Sequence, residues 1–132
     1  MDAILLDKGI PGMRMERLRR ASPFEMKVLH AHTFWEIYYL LEGECIYFID
    51  GRSYALERGA LVFVGTNVLH RTLAERHERI LIELDPATLA DFGMRLPLLE
   101  QNASIAVQLP PPQQRQVEAF FHCIAESLGG EA

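Results

Sequence analysis

"HAHTFWEIYYLLEG", residues 30 to 43, decides how this chain reads. It sets His30, His32 and Glu36 close together and then runs through an apolar, aromatic-rich segment to Gly43. Strand side chains alternate between faces. His30 and His32 therefore point the same way if residues 25–32 are extended, and Glu36 shares its face with Tyr38 and Leu40. An acid inside an apolar strand, just after two histidines, is odd for a plain core. Three readings stand open: ligands for a metal, contacts for a small molecule, or polar residues at a strand end.

The flanking sequence reads as short strands broken by turns. "MRMERL" (13–18) and "FEMKVLH" (24–30) alternate, and "FWEIYYLLE" (34–42) is rich in aromatic and β-branched residues. In "ECIYFIDGRSYAL" (44–56), Asp50-Gly51 between two such runs calls for a two-residue hairpin turn. That register sets Ile49 opposite Arg52 and Tyr47 opposite Tyr54. "ALVFVG" (60–65) and "RILIEL" (79–84) complete the set, and strands at this spacing with no helices between them indicate a sandwich or barrel. The last third changes character. Asp85-Pro86 caps and starts a helix, with Gly93 as its stop, and a second short helical piece begins at Pro97. "SIAVQL" (104–109) is extended. After "PPP" (110–112), Val117, Phe120, Phe121, Ile124 and Leu128 fall on one helical face, and Gly129 closes the helix. The opening "MDAILLDKGIPG" suits either an apolar arm over a pocket or an ordinary strand.

Composition bounds the function. The chain has 132 residues, 49% hydrophobic and 23% charged, the mix and size of one globular domain. Its net charge is −5, and its one basic cluster is "MRMERLRR", so it is a poor candidate for touching DNA by itself. No window spans a bilayer, and Asp2 and Asp7 stand where a signal peptide would be basic, so the expected location is cytoplasmic. Cys45 and Cys123 have no motif spacing and read as reduced and buried.

A later histidine, His70, ends the segment "GALVFVGTNVLH" (59–70). Three imidazoles and a carboxylate converging in a barrel mouth suit a divalent transition metal. For each residue taken alone, the duller reading is a solvated strand end, or for Glu36 an ion pair with Arg79 or Arg71. Trp35, Tyr38, Tyr47 and Tyr54 read first as core; Tyr38 is the best exception, because it shares the face of Glu36. Arg14, Arg17 and Arg79 can each offer a fork of donors to a hydroxylated or carboxylate ligand. His77 and His122 read as surface residues.

These residues resemble the cupin superfamily. His30-x-His32-x3-Glu36-x6-Gly43, followed by Gly59 and His70, is similar to its two motifs. Phe24 stands where the first motif has a glycine, and Gly65, Asn67 and Ala74 replace a proline, a glycine and an asparagine of the second. The resemblance implies a mainly β fold, a double-stranded β-helix or jelly-roll barrel over about 12–84, followed by C-terminal α-helices over about 85–130. It also implies that His30, His32, Glu36 and His70 hold iron, manganese, nickel or zinc. A closer resemblance covers nearly the whole chain. "HTFWEIYYLLEGECIYFIDGRSYALERGALVFVGTNVLHRT" with "HERILIELDPATLADF" resembles the N-terminal sensor domain of AraC-family transcriptional regulators. That implies a pocket of His30, His32, Glu36, Tyr38, His70 and Arg79 for a small-molecule effector such as a carbohydrate. It implies a homodimer paired through the helix at 113–128, and DNA binding by a helix-turn-helix module that is not in this chain. Its work would be binding rather than catalysis. The rival is a metal-dependent cupin enzyme, a small dioxygenase or sugar isomerase.

Overall fold

A computed structural model describes residues 2–91 and 101–129 of the chain. The expected stop at Gly93 and the helical piece from Pro97 lie outside the described residues. The described residues form ten strands: β1 (Ala3–Ile10), β2 (Met13–Arg20), β3 (Phe24–Glu25), β4 (Trp35–Glu42), β5 (Cys45–Ile49), β6 (Arg52–Leu56), β7 (Ala60–Val64), β8 (His70–Ala74), β9 (His77–Leu84) and β10 (Ile105–Gln108). Helix α1 covers Pro86–Asp91 and α2 covers Pro111–Gly129. Asp85 caps α1 as expected, its Oδ1 accepting from the Ala87 amide at 3.0 Å.

The strands form a six-stranded sheet, β1-β2-β9-β4-β7-β10, and a four-stranded sheet, β3-β8-β5-β6, with antiparallel ladders throughout. The fold is therefore mainly β with a C-terminal helix, as expected. Among the described residues no ladder joins the two sheets, so a two-sheet jelly roll replaces the closed barrel. The Asp50-Gly51 hairpin has the predicted register, with Ile49 opposite Arg52 and Tyr47 opposite Tyr54. Its two central residues take φ of 49° and 81°, as a primed turn demands.

Strand parity builds two cores. On β4, Tyr38 and Leu40 face the space between the sheets, where they meet Cys45, Tyr47, Val62 and Val64. Tyr39 and Leu41 face the other way, onto Met15, Ile80, Ile82 and Phe121. The helix explains the second core: α2 lies on the outer face of the large sheet, with Val117, Ile124 and Leu128 packed against that cluster. The Tyr39 hydroxyl donates to Glu118 at 2.7 Å and fixes the helix in place.

Three expectations change: the strand over 24–30, the single helical stripe, and Cys123, which is exposed rather than buried. The strand expected over 24–30 ends at Glu25. In continuous register Phe24 opposite Ala74 and Glu25 opposite Leu73 would bring Val28 to His70, but His30 stands there instead. Two extra residues loop out, and Val28 and Leu29 are exposed. A further strand, β8, had no clear signal in sequence because its alternation is short and mixed: His70, Thr72 and Ala74 are buried, whereas Leu73 is exposed. Of the two readings of the opening segment the ordinary strand holds: it is edge strand β1, paired along β2. The helical stripe also divides. Phe121 is 7% exposed and Phe120 71%, so Phe120 leaves the face that Val117, Phe121, Ile124 and Leu128 turn to the protein's own sheet.

That division is testable by urea denaturation. Phe121→Ala should cost about 3–5 kcal/mol, the usual range for emptying a buried aromatic site. Phe120→Ala should stay within about 0.5 kcal/mol of wild type. Equal losses at both positions would contradict the packing of α2.

Candidate functional site

The site is built where the looped-out segment rejoins the small sheet. The His30 amide donates to the His70 carbonyl at 3.1 Å, and the His70 amide returns a bond of 2.9 Å to the His30 carbonyl. The Asn67 amide holds the His32 carbonyl at 2.6 Å. His30 and His32 thus converge on His70 through a bridge and a turn, not through the expected continuous strand. The ring centroids are 5.3 Å apart for His30 and His32, 5.3 Å for His30 and His70, and 4.9 Å for His32 and His70. Phe34 stacks flat on His32 at 4.5 Å and steadies that ring. The His70 Nδ1 lies 2.9 Å from the Val68 carbonyl. With its proton on that nitrogen, the ring turns the Nε2 lone pair toward the site.

Glu36 comes up from β4, 6% exposed. One oxygen stands 3.6 Å from His32 Nε2 and 3.7 Å from His70 Nε2. The other accepts the Tyr47 hydroxyl. The ion-pair partners expected for it are engaged elsewhere: Arg79 holds Glu16 at 2.7 Å, and Arg71 lies over the Phe48 ring at 4.1 Å. Burial would push the Glu36 carboxyl up, but the facing His32 and His70 imidazoles and the hydrogen bond from Tyr47 outweigh it and hold the pKa down at about 2. Burial opposes the His70 cation, yet Glu36 and the Val68 carbonyl raise its pKa above the ordinary 6.5. His30 moves the other way, lowered by burial and by its imidazole neighbours.

Five of the six expected pocket residues, His30, His32, Glu36, Tyr38 and Arg79, line one cavity of about 170 Å³. His70 does not line it; it is 1% exposed and packs behind the other two histidines. Tyr47, read first as core, also lines the cavity, as do Thr72 and His77, which sequence reading missed. His77, expected at the surface, is 5% exposed, with its Nδ1 2.9 Å from the Glu75 carbonyl. The missing signal was parity: His77 stands two residues before Arg79 on β9 and so shares its face. His122 is exposed, as expected, and pairs with Glu126 on α2 at 2.8 Å. Among the described residues, two donors in the cavity wall, the Tyr38 hydroxyl and Arg79 Nη1, are buried without a hydrogen-bond partner. Such a donor typically costs about 1–3 kcal/mol unless something satisfies it. A larger groove of about 650 Å³ opens beside Arg19, Arg20, Gly43 and Arg76. Two arginines of that region, Arg17 and Arg19, turn onto Glu78, and Arg20 onto Asp2, so it is an ion-paired surface, which shares Arg20 and His77 with the smaller cavity.

His30, His32 and His70 bring ligand nitrogens within 4.8 Å of one another, close enough to hold one ion. The donor set fits a transition metal such as zinc, nickel, manganese or iron. A lowered His30 pKa favours the neutral imidazole that ligation needs, and the Val68 carbonyl orients His70 as an outer partner should. Glu36 is not of that trio. It faces two of the three imidazoles and sets their orientation.

Two outcomes follow. Without metal, the depressed Glu36 pKa contributes stability above the unfolded value of 4.5, and that contribution is lost as pH falls through 4.5 to about 2. The loss should reach ~3 kcal/mol at 1.36 kcal/mol per pKa unit. The raised His70 pKa contributes below 6.5 and is lost as pH rises past it. Urea midpoints should therefore show a maximum for this pair between the two values, and Glu36→Gln should flatten the acid limb. An acid limb as steep in Glu36→Gln as in wild type would refute the assignment. With metal, zinc should raise the thermal midpoint, the folded state gaining ~2.7 kcal/mol at a hundredfold excess over Kd. The effect should fade as pH drops through the histidine range, because protons compete for the same nitrogens. It should vanish in His30→Ala and His70→Ala; an unchanged response in both would remove the site.

The comparisons with known proteins agree with this architecture. A family model described as the cupin domain matches residues 20–82. Among curated proteins, no sequence matches the chain. A cupin superfamily protein from Desulfitobacterium hafniense DCB-2 superposes with a TM-score of 0.58 at 14% identity, over 64% of this chain and 78% of that one. A provisionally named mannose-6-phosphate isomerase from Ralstonia eutropha JMP134 gives 0.56 at 13% identity, over 64% and 85%. An RmlC-like cupin from Shewanella frigidimarina NCIMB 400 gives 0.50 at 25% identity, over 61% and 71%. The family match runs over the histidine segment, the hairpin and the first part of β9, so that stretch is similar to the cupin domain, and the solved structures share its fold.

Proposed function

We propose that the chain is a small-molecule-sensing domain of the AraC type, cytoplasmic, and not an enzyme in itself. The observation that carries this reading is the small cavity at the middle of β4 and β9, which gathers the histidines, Glu36 and two unpartnered donors. Its volume lies below the ~300–1,000 Å³ of drug-sized sites, so it suits a small polar metabolite such as a short sugar. The same two strands offer a route for a signal. Tyr38 and Arg79 face the cavity, while Tyr39, Ile80 and Ile82 on the opposite faces hold α2 through Phe121. A ligand that shifts β4 or β9 by a fraction of an ångström shifts the seat of the helix, since packed cores repack rather than deform smoothly.

A homodimer belongs to this reading. Most of the stripe on 113–128 is packed on the protein's own sheet, so pairing through the helix would use its outer side, where Phe120 is exposed. DNA contact would need a separate module. The second reading, a metal-dependent cupin enzyme, is favoured by one observation, the three imidazoles within reach of a single ion. No described helix is long and apolar enough to cross a membrane.

The two readings separate in one experiment. Zinc-, nickel- or manganese-treated protein is mixed with a panel of pentoses, hexoses and their acids. Thermal midpoints, hydrogen exchange of α2 and the proton NMR spectrum of each ligand are then followed. A sensor gives a raised midpoint and altered exchange in α2 with the ligand unconsumed. Steady conversion of a ligand would favour the enzyme. Sedimentation of wild type against Phe120→Asp tests pairing: loss of a dimer with the fold intact is expected, and a monomeric wild type at high micromolar concentration would remove it.

A further inference from the structure

The wall of the cavity carries two donors that no acceptor satisfies, and they identify what the ligand must bring. Tyr38, on β4, is 5% exposed, and its hydroxyl has no hydrogen-bond partner. The Cys45 thiol lies beside it, a weak partner by chemistry. Arg79, on β9, is anchored on one side only: its Nη2 reaches Glu16 at 2.7 Å, while its Nη1 is buried and unpaired. The two come together by register. Tyr38 stands opposite Leu81 and Leu40 opposite Arg79, so Tyr38 and Arg79 are diagonal neighbours on one face of adjacent strands. Both line the cavity that His30, His32 and Glu36 also line.

A guanidinium with a free nitrogen, beside a phenol with a free proton, asks for oxygen acceptors. A carboxylate fills the demand best, because one oxygen can take the Arg79 hydrogen and the other the tyrosine hydrogen, both bonds strengthened by charge. Glu36 and Glu83 line the same cavity and would repel an acid placed at random. Glu36, however, is already engaged by Tyr47, His32 and His70, and Glu83 lies 3.6 Å from Arg14. The acceptor deficit is thus confined to the Tyr38–Arg79 corner. Resting on the reading of this cavity as a small-molecule site, we propose that its ligand is a small hydroxylated carboxylic acid, with the carboxylate received by Arg79 Nη1 and the Tyr38 hydroxyl and the hydroxyl-bearing end turned toward the histidines.

The test compares pairs of probes that differ in the carboxylate alone: D-glycerate against glycerol, and tartrate against threitol. Binding to the full chain is measured by calorimetry, with and without zinc. In at least one of the two conditions the acids should bind at least tenfold more tightly than the matched polyols. Tyr38→Phe should weaken the acids roughly tenfold, a change of ~1.4 kcal/mol, and weaken the polyols less. Because the hydroxyl has no partner without ligand, Tyr38→Phe should unfold no earlier than wild type, which separates lost binding from lost folding. Arg79→Lys keeps the charge and the pairing with Glu16 but not the fork, and should weaken the acids as well. Polyols bound as tightly as acids, or acids unaffected by both substitutions, would overturn the carboxylate assignment and leave the sensing site standing. If neither probe class binds, the small-molecule reading and this assignment fall together.

Discussion

A carboxylate buried in an apolar interior must be paired, and the pairing of Glu36 organises this domain. Its partners arrive from three places: His32 from the segment that loops out after β3, His70 from the start of β8, and Tyr47 from the middle of β5. Leaving such a group unpartnered in the interior would be far more costly than any single apolar contact is favourable. Glu36 on the large sheet therefore ties the small sheet and the histidine segment to β4. The same pairing explains why its carboxyl is held as an anion at about 2 while burial alone would raise it. Function and stability share this group: the bonds that make its burial tolerable are those that aim the imidazoles.

The second constraint is that β4 is buried on both faces. A sheet strand ordinarily alternates between core and solvent, and β4 would do so without α2. The helix covers the outer face, so Tyr39 and Leu41 become as buried as Tyr38 and Leu40. One strand thereby separates a polar cavity from an apolar seat for the helix. Its place between β9 and β7 keeps it rigid, and Gly43 ends it with φ of 91° against the Arg76 carbonyl, where a Cβ would come within 2.4 Å. A side chain at Gly43 would both strain the backbone and displace the loop before β9.

The cavity is unevenly satisfied. Near the histidines, polar groups are matched and mutually oriented. At the Tyr38–Arg79 corner they are not. A folded protein tolerates a few unsatisfied donors, and they concentrate where something else is meant to satisfy them. The larger arginine-bearing groove shows the contrast. It is roomier, but Glu78 and Asp2 occupy its neighbouring arginines, so size alone marks it out.

Local rules settled much of this from sequence. Asp50-Gly51 fixed the hairpin and its register, because few dipeptides tolerate two positive φ angles. Period-two alternation put Glu36, Tyr38 and Leu40 on one face, and His30, His32, Glu36, Gly43, Gly59 and His70 resemble the motifs of the cupin superfamily. What the sequence did not determine lies between elements. The two-residue loop at Val28 and Leu29, which brings His30 instead of Val28 to His70, depends on how β3 meets β8. The burial of His77 and the turning of Phe120 away from Phe121's face depend on which sheet lies beneath. Arg79's choice of Glu16 over Glu36 depends on the pairing of β2 with β9. Periodicity reports the face a side chain takes within its own strand or helix; what waits across that face is decided only when the chain closes, because those contacts join residues far apart in sequence.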